Sequence, residues 1–282
     1  MNLELAKLKT DELINLALAQ DEPWNYDYIP VLQFRNSKNV LLAAQKLCLS
    51  SEIAARKLGV DILGQLGVPE RTFPEQCQCL DTLLRLLEKE TNEQVLYSIG
   101  VALGHLGDSK AVEPLVKFKN HPNAFVRYRV VSGISGHELP LAIKTLIELS
   151  DDKDSDLVRD WATFGLAVQI DVDTPEIREA LWQRLVRENT KDNYEIYGEA
   201  LMGLAQRKDS RIMPFLLKEL ESDTVGEKAV EAAAEMGNAR LYPALTKLKK
   251  RWDSSQYIFV LDILNDAIAN CCPPERSIKT IT

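Results

Sequence analysis

The fold of this chain is decided by one stretch, ALGHLGDSKAVEPLV (Ala102–Val116). Its first half repeats an earlier segment, ILGQLG (Ile62–Gly67), and each copy closes a long apolar pattern of helical period. Its second half places Pro114 in the first turn of the next helix, where the missing N–H costs nothing and the fixed φ favours the helix. The repeated unit is therefore a pair of helices that is joined to the next pair by a tight turn.

Weaker copies of these signals continue along the chain. Proline returns in RIMPFL (Arg211–Leu216) and RLYPAL (Arg240–Leu245), and a Val-Arg pair opens a helix at Val126 and again at Val158. One helix pair cannot bury its own apolar face, whereas stacked pairs share a continuous core. The sequence thus predicts an all-α fold, a solenoid of stacked helix pairs.

The same register predicts how the chain is divided. We expect a single array over residues 1–282, with a capping helix and linker at 1–28, about six helix pairs at 29–272 and a frayed tail at 273–282. Leu103 and Leu204 fall on the apolar side of their helices and are predicted to be core residues.

Composition and charge narrow the possible partners. The 282 residues include 42 acidic and 34 basic side chains, for a net charge of −8, and 45% of them are apolar, which is typical of a folded globular protein. A nucleic-acid binder needs a basic face, because phosphate neutralisation supplies most of its affinity, so we expect no nucleic-acid partner. An acidic chain suits a basic protein partner instead. Neither a membrane span nor a signal peptide is recognisable, which predicts a cytoplasmic protein without a membrane contact.

The cysteines and histidines predict neither a metal site nor a catalytic centre. An odd number of cysteines, five, fits a reducing compartment better than a disulfide framework. The three histidines have no ligand partner at a spacing that helix geometry would bring together. The sequence also lacks G-x-S-x-G, the P-loop and G-x-G-x-x-G. We therefore expect no catalytic residue, no metal and no cofactor.

Several segments resemble known helical repeats. Gly-Asp-x-x-Ala-Val-x-Pro-Leu (Gly107–Leu115), followed by Val-Arg-x-x-x-Val (Val126–Val131), resembles the HEAT-like repeats first recognised in phycobilisome lyases. KLGVDILGQLG (Lys57–Gly67), DLVRDWATF (Asp156–Phe164) and EALMGLAQRKD (Glu199–Asp209) are similar to a group of bacterial HEAT-repeat proteins of about this length. Some of those proteins lie beside polymorphic-toxin genes. The resemblance implies an all-α, right-handed α-α superhelix, a HEAT-like helical-repeat solenoid, with an immunity or adaptor role, and it supplies no catalytic residues.

A protein-binding surface is the leading functional prediction. In HEAT arrays the second helix of each pair lines the inner, concave face, and arginine and tryptophan are frequent among interface hot spots. An alternative for Arg159 is structural: it would join neighbouring repeats or bind an acid in the turn, such as Asp156. Trp161 and Tyr197 could equally be core residues. The candidate partner-binding residues are Tyr97, Tyr128, Arg159, Asp160, Trp161, Tyr197, Glu199 and Glu231.

Three functions remain open at this point. The first is a non-enzymatic, monomeric scaffold that holds an unidentified protein partner. The second is a bilin-lyase-like accessory subunit, which the shared repeat type suggests. The third is a HEAT-type DNA glycosylase, which the neighbouring Asp160 and Trp161 suggest and the net negative charge opposes.

Overall fold

The structure, a computed structural model, describes residues 3–19, 28–35, 37–67, 75–188, 194–252 and 258–274. Every regular element in those ranges is helical, which confirms the predicted all-α fold class. The chain divides into two compact units, Met1–Thr145 and Leu146–Thr282. The predicted linker after the capping helix and most of the predicted tail, residues 275–282, lie outside the described residues.

The first unit begins with three short helices and continues with helix pairs. The short helices are α1 (Leu3–Lys7), α2 (Thr10–Leu18) and α3 (Tyr28–Gln33). The pairs are α4 (Ser37–Cys48) with α5 (Ile53–Gln65), α6 (Gln76–Leu87) with α7 (Glu93–Leu106), and α8 (Val112–Val116) with α9 (Ala124–Ile134). The helices of each pair pack together, and the second helices also pack on each other, α5 against α7 and α7 against α9. Helix α10 (Pro140–Leu149) starts in this unit and ends in the next.

The second unit repeats this arrangement. It contains α11 (Asp156–Val168), then α12 (Pro175–Arg187) with α13 (Tyr194–Gln206), α14 (Met213–Glu221) with α15 (Glu227–Met236), and α16 (Tyr242–Arg251) with α17 (Ile258–Asn270). The second helices pack in the order α11, α13, α15 and α17. Apart from α10, which crosses the boundary between the two units, and α11, the described helices from α4 onward form six pairs. The single array over the whole chain stays a prediction.

The tight turn between pairs is built by a helix stop and a polar cap. Gly107 ends α7 with a φ of 62°, a left-handed conformation that glycine adopts without strain. Asp108 then accepts a hydrogen bond from the backbone amide two residues further on. Asp209 and Asn238 make the same bond after α13 and α15. Lys208 replaces the glycine with a φ of 53°, so the polar cap recurs even where the glycine does not.

The glycines in the repeated motif bring the second helices close together. A Cβ placed on Gly64 of α5 would lie 2.6 Å from the Cβ and 2.7 Å from the Cα of Ala102 in α7. In the second unit, a Cβ on Gly203 of α13 would lie 2.7 Å from the Cβ of Ala167 in α11. The glycine that identifies the repeat in the sequence is therefore also the residue that fixes the distance between repeats.

The apolar side chains of the second helices fill the interior of each unit. Leu103 of α7 and Leu204 of α13 are both 0% exposed, which confirms the two core predictions. Among the described helices, none combines the length and the apolar composition that a bilayer crossing requires.

We expect Gly64→Ala to lower the free energy of unfolding by about 2 kcal/mol, because the added methyl overlaps backbone as well as side-chain atoms of Ala102. Gly107→Ala is the matched control, since no atom lies within 4 Å of its added Cβ and only the positive φ opposes the change, at about 1 kcal/mol. Urea denaturation measures both. The double variant Gly64→Ala/Ala102→Gly should recover part of the loss, and an unchanged stability of Gly64→Ala would show that the two helices are not held at this distance.

Candidate functional site

The second helices share a register that becomes visible when they are aligned on their N-caps. Asn92, Asn123 and Ser155 cap α7, α9 and α11 through side-chain oxygens that accept backbone amide hydrogens. The third residue after each of these caps is buried, and the fourth is buried in α7 and α9 and 14% exposed at Arg159 in α11. The fifth is half-buried at the surface in all three helices. We use the term open face for the surface residues at and beside this position: Tyr97, Tyr128 and Arg129 in the first unit, and Asp160, Trp161, Glu199 and Glu231 in the second.

In the first unit the open face borders a groove of about 860 Å³ between α3, α5, α7 and α9. The guanidinium carbon of Arg129 lies 4.0 Å from the ring centre of Tyr97 and 4.5 Å from that of Tyr128. Arg129 also donates a hydrogen bond to the hydroxyl group of Tyr97. Phe125, 59% exposed, adds an aromatic surface to the lining. The groove therefore combines an aromatic wall with a cation held between two rings.

Polar side chains cross the same groove. Gln65 of α5 and His105 of α7 occupy equivalent places in the two copies of the motif. Nε2 of Gln65 lies 2.7 Å from Nδ1 of His105, at hydrogen-bond distance. Neither they nor Phe125 and Arg129 were among the predicted site residues. The exposed side of the α5–α7–α9 surface could have been read from the N-cap register, but which side chains meet there depends on how the helices stack.

In the second unit the open face is acidic. The structure brings Asp160 of α11, Glu199 of α13 and Glu231 of α15 onto neighbouring helices, and Glu199 forms an ion pair with Lys228. Burial, together with the nearby Glu195 and Glu199 and against the opposing charge of Lys228, raises the pKa of Asp160 to about 6. Within the described ranges, no group of three or more His, Cys, Asp or Glu side chains is arranged to hold a metal ion. The three acids therefore present negative charge without forming a metal cage.

The two aromatic candidates of the second unit differ in exposure. Trp161 is 40% exposed and meets Phe164 edge to face, with 5.7 Å between ring centres. Tyr197 is only 3% exposed, so its assignment to the binding surface is wrong and its alternative interpretation as a core residue is correct. The physical reason is register: Tyr197 follows the buried Ile196 directly, as Arg159 follows the buried Val158, and so points into the unit.

Arg159 links structural elements within the second unit. It donates to the carbonyl oxygen of Asp152 at 2.9 Å, pairs with Asp156, and places its Nε 3.3 Å from Glu188, which follows α12. Its side chain is 14% exposed. These contacts confirm the alternative interpretation, in which Arg159 binds an acid of the turn and joins neighbouring repeats.

Arg56 of α5 occupies the corresponding place in the first unit, and it was not among the predicted site residues. It donates to two carbonyl oxygens of the preceding turn and pairs with Glu90 at 2.7 Å. Burial alone would raise the pKa of Glu90, but the hydrogen bonds from Arg56 and from two backbone amides bring it below its ordinary value. Glu90 is therefore a buried, ionised link between one helix pair and the next.

The comparisons with known proteins agree with this architecture. Residues 80–167 match the family model of HEAT repeats. This match identifies HEAT repeats in that part of the chain. Protein YibA of Escherichia coli K12 is 27% identical over 262 residues, which cover 89% of each chain.

Two solved structures are among the matches. The X-ray structure of the Escherichia coli protein YibA matches with a TM-score of 0.75 at 24% identity, over 95% of this chain and 94% of that one. The complex of CpcE and CpcF of phycocyanin lyase from Nostoc matches with a TM-score of 0.45 at 16% identity, over 88% of this chain and 97% of that one. The second likeness is too distant to support the bilin-lyase alternative.

We expect Arg56→Met to lower the free energy of unfolding by about 3 kcal/mol, because Glu90 would stay buried without its cation.

The contribution of Glu90 to the free energy of unfolding should decrease as the pH falls. The folded pKa of Glu90 lies below its unfolded value of about 4.3, so its stabilisation is present above about pH 4.3 and is lost as the pH falls through the folded value. Between pH 6 and pH 3, the native chain should lose more stability than Glu90→Gln. Glu88→Gln, which changes an exposed residue, is the control and should lose as much stability as the native chain. Equal losses in the native chain and in Glu90→Gln would show that Glu90 does not carry this stabilisation.

We expect Asp160→Asn to raise the melting temperature at pH 7 and to have little effect at pH 4. The folded carboxyl group, with its pKa of about 6, holds its proton more tightly than the unfolded one at about 3.9. The cost of ionising it is therefore absent below about pH 4 and complete above about pH 6. Melting temperatures of Asp160→Asn and the native chain, measured from pH 4 to pH 7, give the difference between the two. Asp262→Asn, at an exposed position, is the control. An equal advantage at both pH values would show that Asp160 titrates normally.

Proposed function

We propose that this chain is a non-enzymatic scaffold that binds a protein partner through the open faces of its second helices. The observation that carries the proposal is Trp161, a large aromatic side chain left 40% exposed beside a closely packed core. Tryptophan at such a position supplies a large contact area at little entropic cost, and it is enriched among interface hot spots. The HEAT-repeat fold supports this role, because stacked helix pairs offer extended surfaces to other proteins.

The proposal includes the character of the partner. Asp160, Glu199 and Glu231 give the open face of the second unit a negative charge, which would steer a basic protein towards it. We propose that the partner binds to the concave face of one continuous array of helix pairs. We also propose that the chain acts as a monomer in the cytoplasm. An immunity or adaptor role is the finer form of the same function, and it depends on the family resemblance.

Affinity capture of the tagged chain from its native cells, followed by binding titrations with the captured protein, tests the proposal. We expect one protein to be enriched and Trp161→Ala to weaken its binding by at least tenfold, as for a central aromatic contact. Val186→Ala is the matched control, because Val186 is 47% exposed on α12, a first helix. Equal binding by Trp161→Ala and the native chain would contradict the proposed surface. A captured toxin that the chain neutralises would support the immunity form.

A further inference from the structure

The groove of the first unit differs from the acidic open face of the second in the charge that it offers to a ligand. We propose that it binds an extended peptide segment of the partner, and that Arg129 pairs with the carboxylate of an aspartate or glutamate in that segment. This inference rests on the proposed function and adds to it the kind of segment that is bound and the residue that selects it.

The charges in the groove leave Arg129 available. Lys57 is paired with Asp61 at 2.8 Å, and the carboxylate of Glu93 accepts a hydrogen bond from Asn123 at 2.5 Å. Among the described residues, no carboxylate lies within ion-pair distance of Arg129, although its Nε is buried and has no hydrogen-bond partner. Arg129 is therefore a cation of the groove that no carboxylate of the described residues pairs with, whereas Lys57 is neutralised by Asp61.

The arginine is also held in an orientation suited to a carboxylate. Tyr97 and Tyr128 lie against its guanidinium group, and the hydroxyl group of Tyr97 accepts one of its hydrogens. A guanidinium group positioned in this way keeps its remaining N–H donors in a fixed plane, and two such donors match the two oxygens of a carboxylate. The side chain loses little freedom on binding, because the rings already restrict it.

The shape and lining of the groove favour an extended peptide as the occupant. Neighbouring packed helices lie about 8–10 Å apart, and an extended chain advances about 3.3 Å per residue, so a peptide would meet a new helix about every three residues. Gln94 stands on α7 among the lining residues, and its side-chain amide can both donate to and accept from a peptide backbone. Pro30 and Phe125 offer apolar contacts for side chains of the peptide.

Selection of a displayed library of random octapeptides on the full-length chain tests this inference. We expect the enriched peptides to share one aspartate or glutamate at a constant position, with apolar residues beside it. Selection on Arg129→Gln should lose that acid, whereas Arg85→Gln, an exposed arginine on α6 outside the groove, should retain it. Enrichment without a constant acid, the same acid preference on Arg129→Gln, or no enrichment at all would overturn the inference.

Titration of the leading peptide gives the magnitude. Replacing its acid with the corresponding amide should weaken binding to the native chain by about 10- to 100-fold, as expected for a charge-assisted hydrogen bond, and should have no effect on Arg129→Gln. Phe125→Ala removes an exposed side chain of the groove and should not impair folding. It should weaken peptide binding by at least fivefold, and it therefore tests the location of the peptide even if Arg129→Gln does not fold. If a partner is captured whose binding changes with Trp161→Ala but with neither groove variant, the proposed function stands and the peptide inference fails.

Discussion

The spacing between neighbouring second helices is set by side chains too small to hold the backbones apart. Where Gly64 meets Ala102, and where Gly203 meets Ala167, there is no room for one more methyl group. This contact determines which residues of each helix turn inward, because a closer or wider spacing would change the positions that the neighbour covers. The tight turns and their polar caps then return the chain at the right place for the next contact.

Within this register, a shift of one or two residues changes the role of a side chain completely. Arg127 is 6% exposed and donates to carbonyl oxygens of the turn before α9, so its charge serves the fold. Arg129, two residues later on the same helix, lies between two tyrosine rings beside the groove. The pairs Arg56–Glu90 and Arg159–Glu188 show that the inward position repeatedly ties one helix pair to the next. Residue type alone does not separate these roles, whereas helix position does.

The sequence was sufficient for the fold because its signals act over short distances. Glycine stops, polar caps and first-turn prolines specify each helix pair locally, and the core positions of Leu103 and Leu204 follow from helical period. The candidate site was predicted only in part. Tyr197 proved to be buried, and the contacts of Arg56 and Arg129 join residues from separate helices. Such contacts depend on the stacking of the helices, which local patterns do not specify.

The glycine contacts also determine how the first unit meets a ligand. Because α5 and α7 already touch at Gly64 and Ala102, the walls of the groove cannot move closer together, and spreading them would break the packing that forms the core. The recognition surface is thus preorganised: its conformational entropy was lost when the chain folded and need not be lost again when a ligand associates. A ligand has to fit the groove as it finds it, which favours discrimination by shape over adaptation.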